Sequence, residues 1–263
     1  MSVSIEKGSV WKRFSAFLFD IIVMAVLALL AATLLSLAFG YDGTLDSYNE
    51  IRTGIEESYG ITFQITEEEY LTYDDAKKAQ YDAAYEALNA NSEAVRLYAL
   101  LTNYSLMIVT FAILFAFLIL EFIVPLLLKE GRTLGKKIFG LCVVRQNSVR
   151  ISGPVLFIRS ILGKCVIELL VPVFIIILIL FGRGDIFLTI LLFLIPLVNV
   201  IIFLATKNHY QLHDLLAVTV VADYATQKVF ADEDERTAFI AAEEAERVRA
   251  SREENVFSSN VFK

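Results

Sequence analysis

Long apolar runs separated by blocks of charge dominate the pattern of this chain. Residues 21–39 carry no charge and would make about 28 Å of helix, close to the roughly 30 Å hydrocarbon core of a bilayer. A second uncharged run covers residues 104–120, and the apolar pattern then continues through Glu121 and the segment "FIVPLLL". Both runs predict membrane-spanning helices.

The C-terminal half predicts two further spans. Residues 169–181 form an apolar run that would make only about 20 Å of helix. This span therefore reaches membrane thickness only if it also includes Glu168. Residues 186–205 form the last run, which contains Asn199, and a "GRGD" turn at residues 182–185 separates the two runs as a helical hairpin. The pattern therefore predicts an all-α membrane protein, a four-helix transmembrane bundle with an extracytoplasmic helical insertion.

The segments between the apolar runs divide the chain into four predicted parts. These are the first span (10–39), an acidic insertion (40–103), three spans with a basic loop (104–223) and a charged tail (224–263). In the insertion, Thr72 is a candidate N-cap for a helix that continues to Asn89, and "SEAVRLYALL" starts a helix that runs into the second span. The tail is expected to be a charged helix or a disordered segment.

The Lys and Arg content of the short loops predicts the orientation. Residues 129–164 hold eight basic residues and one acid. Because such loops stay in the cytoplasm, we expect this loop and both termini on the cytoplasmic side of a cell membrane, with residues 40–103 outside. The net charge of −7 argues against a nucleic-acid partner, which would call for a basic surface. Cys142 and Cys165 are expected to be buried or reduced thiols.

Four polar residues fall within or beside the predicted spans at a comparable, cytoplasm-proximal depth. They are Asp20, Glu121, Glu168 and Asn199, which we call the polar layer. Glu121 and Glu168 each open an E-x-x-x-P segment, and proline cannot donate to the carbonyl four residues earlier, so each site would offer a carboxylate and a free carbonyl. Ionisable groups inside a membrane often mark ion or proton paths. The alternative leaves Asp20 and Glu121 at the headgroup boundary and pairs Lys164 with Glu168 along one helix.

Local motifs for catalysis or metal binding are weak. The segment "GRTLGKK" at residues 131–137 has its glycines too close together for a phosphate-binding loop. His209 and His213 have helical spacing, but no third ligand is spaced to join them, so polar capping after the last span is the favoured interpretation. We expect neither enzymatic activity nor a metal or cofactor.

Three motifs resemble the RDD family, which is named for one arginine and two aspartates. They are "RFSAFLFD" in the first span, "GRTLGKKIFGLCVV" in the basic loop and "QLHDLLAVTVV" after the last span. The family residues would correspond to Arg13, Asp20 and Asp214. Val218 stands where a small residue usually precedes the threonine, and the insertion and the tail lie outside the family pattern.

The resemblance suggests a role for the three signature residues. Arg13 and Asp20 share one helix face about 10 Å apart along the axis, so they do not touch unaided. The fork of donors on Arg13 would bridge Asp20 and Asp214 at the cytoplasmic face. The β-branched runs "IFGLCVV" and "LLAVTVV" predict a short two-stranded ribbon on that same side.

Two functions from different classes follow. Some members of the family are proposed as sodium/proton antiporters, which implies that protons and a small cation such as sodium or potassium compete for the carboxylates of the polar layer. Other members look like partners that regulate membrane-embedded machinery, which implies a non-catalytic adaptor that binds another membrane protein. In both cases the lipid bilayer surrounds the spans.

Overall fold

The computed structural model describes residues 4–128, 130–178 and 186–261, and these residues are mostly helical. The α-helices are α1 (Val10–Phe39), α2 (Tyr41–Tyr59), α3 (Glu67–Leu71), α4 (Asp75–Ala90), α5 (Ser92–Leu118), α6 (Val124–Leu127), α7 (Leu134–Ile138), α8 (Gly153–Phe157), α9 (Val171–Leu178), α10 (Ile186–Ala205), α11 (Leu212–Leu216) and α12 (Glu233–Val261). Two π-helical segments, π1 (Ile119–Ile123) and π2 (Ile158–Leu170), and two strands, β1 (Leu141–Arg145) and β2 (Thr219–Asp223), complete the described chain.

Three helical stretches of the described chain are long and apolar enough to cross a membrane. They are Val10–Phe39, Ser92–Leu127 and Ile186–Ala205, and they contain the predicted first, second and fourth spans. The predicted third span falls on the eight-residue helix α9 and on residues 179–181, which lie outside the described residues, as does the "GRGD" turn. The membrane class is confirmed, while the fourth crossing stays a prediction.

By its internal contacts the chain divides into two units. The ribbon unit comprises the chain up to residue 24 and from residue 117 onward, and the insertion unit comprises residues 25–116. Our division at residues 39, 103 and 223 stays a prediction about sequence segments.

The ribbon unit is built around the predicted antiparallel pair of strands. β1 pairs with β2 in a register that places Val143 opposite Val221. Both strands are buried on both faces, which explains why they are continuous apolar runs with no polar alternation. One face packs with Ala16 of α1, and the other packs with Ile5 and Tyr210. The ribbon prediction is confirmed.

The π-helical segments coincide with the two E-x-x-x-P sequences. Glu121 lies in π1 and Glu168 in π2, and each segment ends one or two residues before its proline. The wider turn bonds a backbone N–H to the carbonyl five residues back, as Val124 does to Ile119. The prolines therefore mark a local change of helix type.

The insertion unit is helical, as predicted, but one of its caps differs from the prediction. Thr72 does not cap the alanine-rich helix; it is the C-cap residue of the short helix α3. Asp74 is the N-cap of α4, and its carboxylate accepts the backbone N–H of Lys77 at 2.8 Å. Both residue types cap well, but Thr72 already ends the preceding helix α3, so Asp74 starts α4.

The charged tail forms a helix from Glu233 onward. The helix α12 begins within the acidic segment at residues 232–235, where the carboxylate of Asp232 accepts the N–H of Glu235. Phe239 packs on Phe230 near the start of the helix, and most of the side chains beyond it are exposed. The tail is therefore a charged helix, the first of the two expected alternatives.

Candidate functional site

Asp20 is buried, with 4% of its surface exposed, although it stands within a membrane-spanning helix. One carboxylate oxygen accepts the hydroxyl of Thr133, and the other accepts the N–H of Gly135 at 2.8 Å. Thr133 is itself the N-cap of α7 and accepts the N–H of Lys136. Asp20 therefore fixes the beginning of α7, and the "GRTLGKK" segment is its binding partner.

Gly135 is the residue that lets α7 approach α1 so closely. A Cβ at this position would overlap the carbonyl oxygen of Ala16 and lie 2.9 Å from the Asp20 carboxylate. The missing side chain is therefore a steric requirement of the contact. The same reasoning applies to Gly163 in π2, where a Cβ would lie 2.6 Å from the Cβ of His213 in α11.

Arg13 does not bridge the two aspartates, so that prediction was wrong. Its guanidinium donates to three backbone carbonyls, those of Asn208, His209 and Val221. The bond to the His209 carbonyl measures 2.7 Å. Arg13 therefore ties the start of α1 to the loop after α10 and to strand β2. Backbone carbonyls leave no signal in a sequence, which is why the carboxylates appeared to be the natural partners.

Asp214 is held by Arg159, a residue outside the recognised signature. The guanidinium Nη2 lies 2.6 Å from Asp214 Oδ1, and both side chains are at most 2% exposed. Thr219 and the backbone N–H of Gln211 donate to the same carboxylate. Burial opposes ionisation, but the Arg159 charge outweighs it and holds the pKa of Asp214 below its ordinary value.

His213 links this ion pair to the polar layer, and its contacts fix its protonation. Arg159 can only donate, so His213 Nε2, 3.1 Å from the guanidinium, must be an acceptor. Nδ1 then carries the hydrogen and donates to Glu168 Oε1 at 2.9 Å. The imidazole is therefore neutral. Burial and the Arg159 charge lower the pKa of His213 against the opposing pull of Asp214 and Glu168.

The alternative pairing of Lys164 with Glu168 along one helix is not what the structure shows. Lys164 instead reaches across to Glu121 in π1, with 2.6 Å between Nζ and Oε2. Glu168 accepts hydrogen bonds from His213 and from the side chain of Asn199. Asn199 Oδ1 accepts the backbone N–H of Leu212, the first residue of α11. Each polar-layer residue is thus joined to another element.

A cavity of about 340 Å³ lies at the centre of these contacts. Its lining includes Asp20, Glu121 and Asn199, so the structure brings three of the four polar-layer residues to one space. Glu168 borders it through His213, which also lines it. The cationic lining residues are Arg13, Lys136, Arg159 and Lys164. The depth of the polar-layer residues in their spans predicted that they would converge. It did not predict that four cations would line the same cavity.

Arg159 and Lys136 are the residues that sequence reasoning missed. Arg159 interrupts the apolar stretch "VLFIRSIL", and a single arginine in such a run is the signal that would have found it. Lys136 and Lys137 are adjacent and equivalent in sequence, yet Lys136 lines the cavity and Lys137 is exposed. Only the position of α7 distinguishes them.

Neither cysteine is exposed, and no metal cluster is evident in the described chain. Cys142 and Cys165 are both buried free thiols, as expected. Burial raises the pKa of Cys142 to about 11, which keeps the thiol protonated and unreactive. Among the described residues no group of three or more His, Cys, Asp or Glu side chains is placed to hold a metal.

The fold combines long apolar helices with a buried network of charged side chains, and the length and composition of these helices are those of a helical membrane protein. The model of the RDD family matches residues 7–218, and the chain belongs to the RDD family. This match covers the first two motifs and the third as far as Val218, and it includes Arg13, Asp20 and Asp214. Neither the curated proteins nor the solved structures gave a match to the chain.

Proposed function

We propose that the chain crosses the cell membrane four times as a helical bundle, with both termini in the cytoplasm. Three long apolar helices support three of the crossings. The apolar helix α9, together with the residues that follow it, would supply the fourth. The basic loop that precedes π2 supports the cytoplasmic placement of the termini.

We further propose that the polar layer is a structural lock and that the protein is a non-catalytic membrane adaptor or regulator. The observation that carries this proposal is that the carboxylates already have partners. Asp20 holds α7, Glu121 pairs with Lys164, and Glu168 accepts from His213. A sodium ion needs several unengaged oxygen ligands, and at each of these sites it would have to displace an existing donor. The adaptor requires no cofactor and no nucleic acid.

The helix α12 is the proposed surface for another membrane protein. It is charged along its described length, with acids in its first turn and both signs of charge beyond it. Contacts such as the Phe230–Phe239 pair attach its first part to the ribbon unit. A polar helix attached mainly at one end suits a regulator that bridges to a second protein.

Cation/proton exchange is the second candidate, because one observation favours it. Asp20, Glu121 and Asn199 line a single cavity, and the neutral His213 beside Glu168 could accept a proton there. In this mechanism a sodium or potassium ion would take the place of a protonated side chain beside a carboxylate of the polar layer. The proton of that side chain would leave in exchange.

Flux measurements in proteoliposomes distinguish the two functions. The lock predicts that wild-type protein gives no sodium-, potassium- or lithium-dependent proton movement. Exchange predicts a flux that Glu168→Gln and Glu121→Gln abolish and that Glu244→Gln, on the exposed tail helix, leaves unchanged. A flux with that pattern of variants would overturn the lock and establish the exchanger.

A further inference from the structure

The charges that line the cavity are not evenly matched. Its lining carries the four cations already named and two carboxylates, those of Asp20 and Glu121. Arg159 is paired with Asp214, and Lys164 is paired with Glu121. These ion pairs account for two of the cations and for Glu121. The charges that remain are those of Arg13, Lys136 and Asp20, and the Asp20 carboxylate is already held by Thr133 and Gly135.

Lys136 lines the cavity and makes no direct ion pair among the described residues. Its ammonium donates to the Thr133 hydroxyl at 3.3 Å, and among the described residues no carboxylate lies within ion-pair distance of it. Burial and the neighbouring Lys164 lower its pKa to about 8. Lys136 is half-buried, and the carboxylates of Glu121 and Asp20 act on its charge from beyond ion-pair distance, so the ammonium can still pair directly with an anion in the cavity.

Arg13 is the second cation without a carboxylate partner. Its two terminal nitrogens bond backbone carbonyls, and its Nε is buried without any hydrogen-bond acceptor. The guanidinium therefore has one unused donor beside the cavity. Two separate donors at one cavity suit a ligand with several anionic oxygens.

The remaining wall of the cavity is apolar and faces outward. Phe14 and Phe17 contribute it from α1, and Val200 and Leu204 contribute it from α10. Each of these side chains is at least half exposed, so in a membrane they contact lipid as well as the cavity. About 340 Å³ lies at the lower end of the range for small-molecule pockets, which admits a headgroup but not long chains.

We propose that the cavity binds the phosphate group of an anionic lipid, with Lys136 and Arg13 as its cationic ligands and the lipid chains against α1 and α10. The phosphate monoester of phosphatidic acid offers three terminal oxygens to separated donors, one more than a carboxylate. The apolar wall selects an amphiphile over free phosphate. The lipid site occupies the same cavity as the exchange candidate, but its argument rests on the cavity lining and on neither proposed function.

Calorimetric titration of the full-length protein in detergent micelles tests the proposal. The probes are dihexanoyl phosphatidic acid, dihexanoyl phosphatidylcholine and inorganic phosphate. We expect phosphatidic acid to bind more tightly than either of the others. Lys136→Gln should weaken that binding at least about tenfold, the effect of losing one charge-assisted hydrogen bond.

Lys137→Gln is the matched control, because it removes the same charge from the exposed neighbour of Lys136. It should bind phosphatidic acid as wild type does, and thermal unfolding should show that both variants remain folded. Equal affinity of Lys136→Gln and Lys137→Gln would overturn the proposal. Equal binding of phosphatidylcholine would overturn it too, and equal binding of inorganic phosphate would replace it with a free-anion site.

Discussion

At the scale of single residues, Val218 shows why one family position favours a small side chain. Its φ of 53° places a β-branched residue in the left-handed region, where the Cβ meets the backbone. The position directly precedes β2, and its carbonyl accepts the N–H of Gln146 beside β1. The turn is therefore fixed by the ribbon, and the valine adopts a strained backbone to maintain it.

Val218→Gly is expected to stabilise the protein by about 1 kcal/mol, because it relieves the left-handed strain at a modest entropic cost. The side chain is 57% exposed, so little packing is lost. Thermal unfolding in detergent measures the change. Val248→Gly, at an exposed helical valine of α12, should be neutral or destabilising. A lower unfolding temperature for Val218→Gly would contradict the strain argument.

The neutral imidazole of His213 gives the protein a defined response to acid. Its pKa is lower in the folded chain than its ordinary 6.5, so below pH 6.5 the unfolded chain binds more protons than the folded one. Stability is therefore full above that pH and falls as the pH drops from 6.5 through the folded pKa. Unfolding temperatures measured along this range should decline.

The decline should be absent in His213→Gln and retained in His209→Gln, which removes the other histidine of the chain. His213→Gln keeps a hydrogen-bonding side chain near Glu168, so its stability at neutral pH serves as the reference for its own pH series. Equal declines in the two variants would show that another group senses the acid.

Sequence reasoning found the polar residues of the site and mistook several of their partners. The depth of Asp20, Glu121 and Asn199 in their spans follows from counting residues, and that depth predicted their convergence. Their partners depend on loops such as Thr133–Gly135, whose path over α1 is set by tertiary packing. Arg13 was misassigned for the same reason, since its acceptors are carbonyls of a loop.

At the scale of elements, α11 and π2 form the central contact of the ribbon unit. The absence of a side chain at Gly163 lets π2 lie against His213, and the Arg159–Asp214 pair joins the two elements beside that contact. A buried pair of this kind stabilises little in itself, but removing one partner leaves the other charged and unpaired. The pair therefore acts as one unit.

A double-mutant cycle tests this unit. Arg159→Ala and Asp214→Ala should each cost about 3–5 kcal/mol, while the double variant should cost less than their sum by roughly 0.5–3 kcal/mol. Thermal or denaturant unfolding in detergent measures the free energies. The matched cycle on Arg13 and Asp20 should be additive to within about 0.5 kcal/mol, because they share no partner. A coupling energy between Arg13 and Asp20 would instead support a bridge between them, which the structure does not show.

The elements themselves were largely predictable, because most of them follow from local periodicity. The three long apolar helices and the ribbon appear where hydropathy and β-branching place them. The π-helical segments and the Asp74 cap were not predicted, because in each case two neighbouring sequence signals compete. In the π-helical segments a proline opposes the helical pattern, and before α4 two residues compete to be the N-cap. Such competition is decided by the packing around it.

At the scale of the whole molecule, the orientation in the membrane is the prediction with the widest consequence. Asp75→Cys and Glu244→Cys place thiols at exposed positions on the insertion and the tail. An impermeant reagent added to intact cells should label only the first, and Glu244→Cys should react only after permeabilisation. The native thiols are buried and give a low background. Labelling of Glu244→Cys alone in intact cells would invert the topology.

The bonds of Arg13 also set an order of events during biosynthesis. Its acceptor on Val221 lies 208 residues further along the chain, so at about 5–20 residues per second the ribosome needs ~10–40 s to supply it. Asp20 waits only until Thr133 and Gly135 are made, whereas Arg13 lacks its Val221 acceptor for the whole interval. The nascent chain thus depends on the insertion machinery or on lipid headgroups to shelter the aspartate at first and the arginine until the last strand is made.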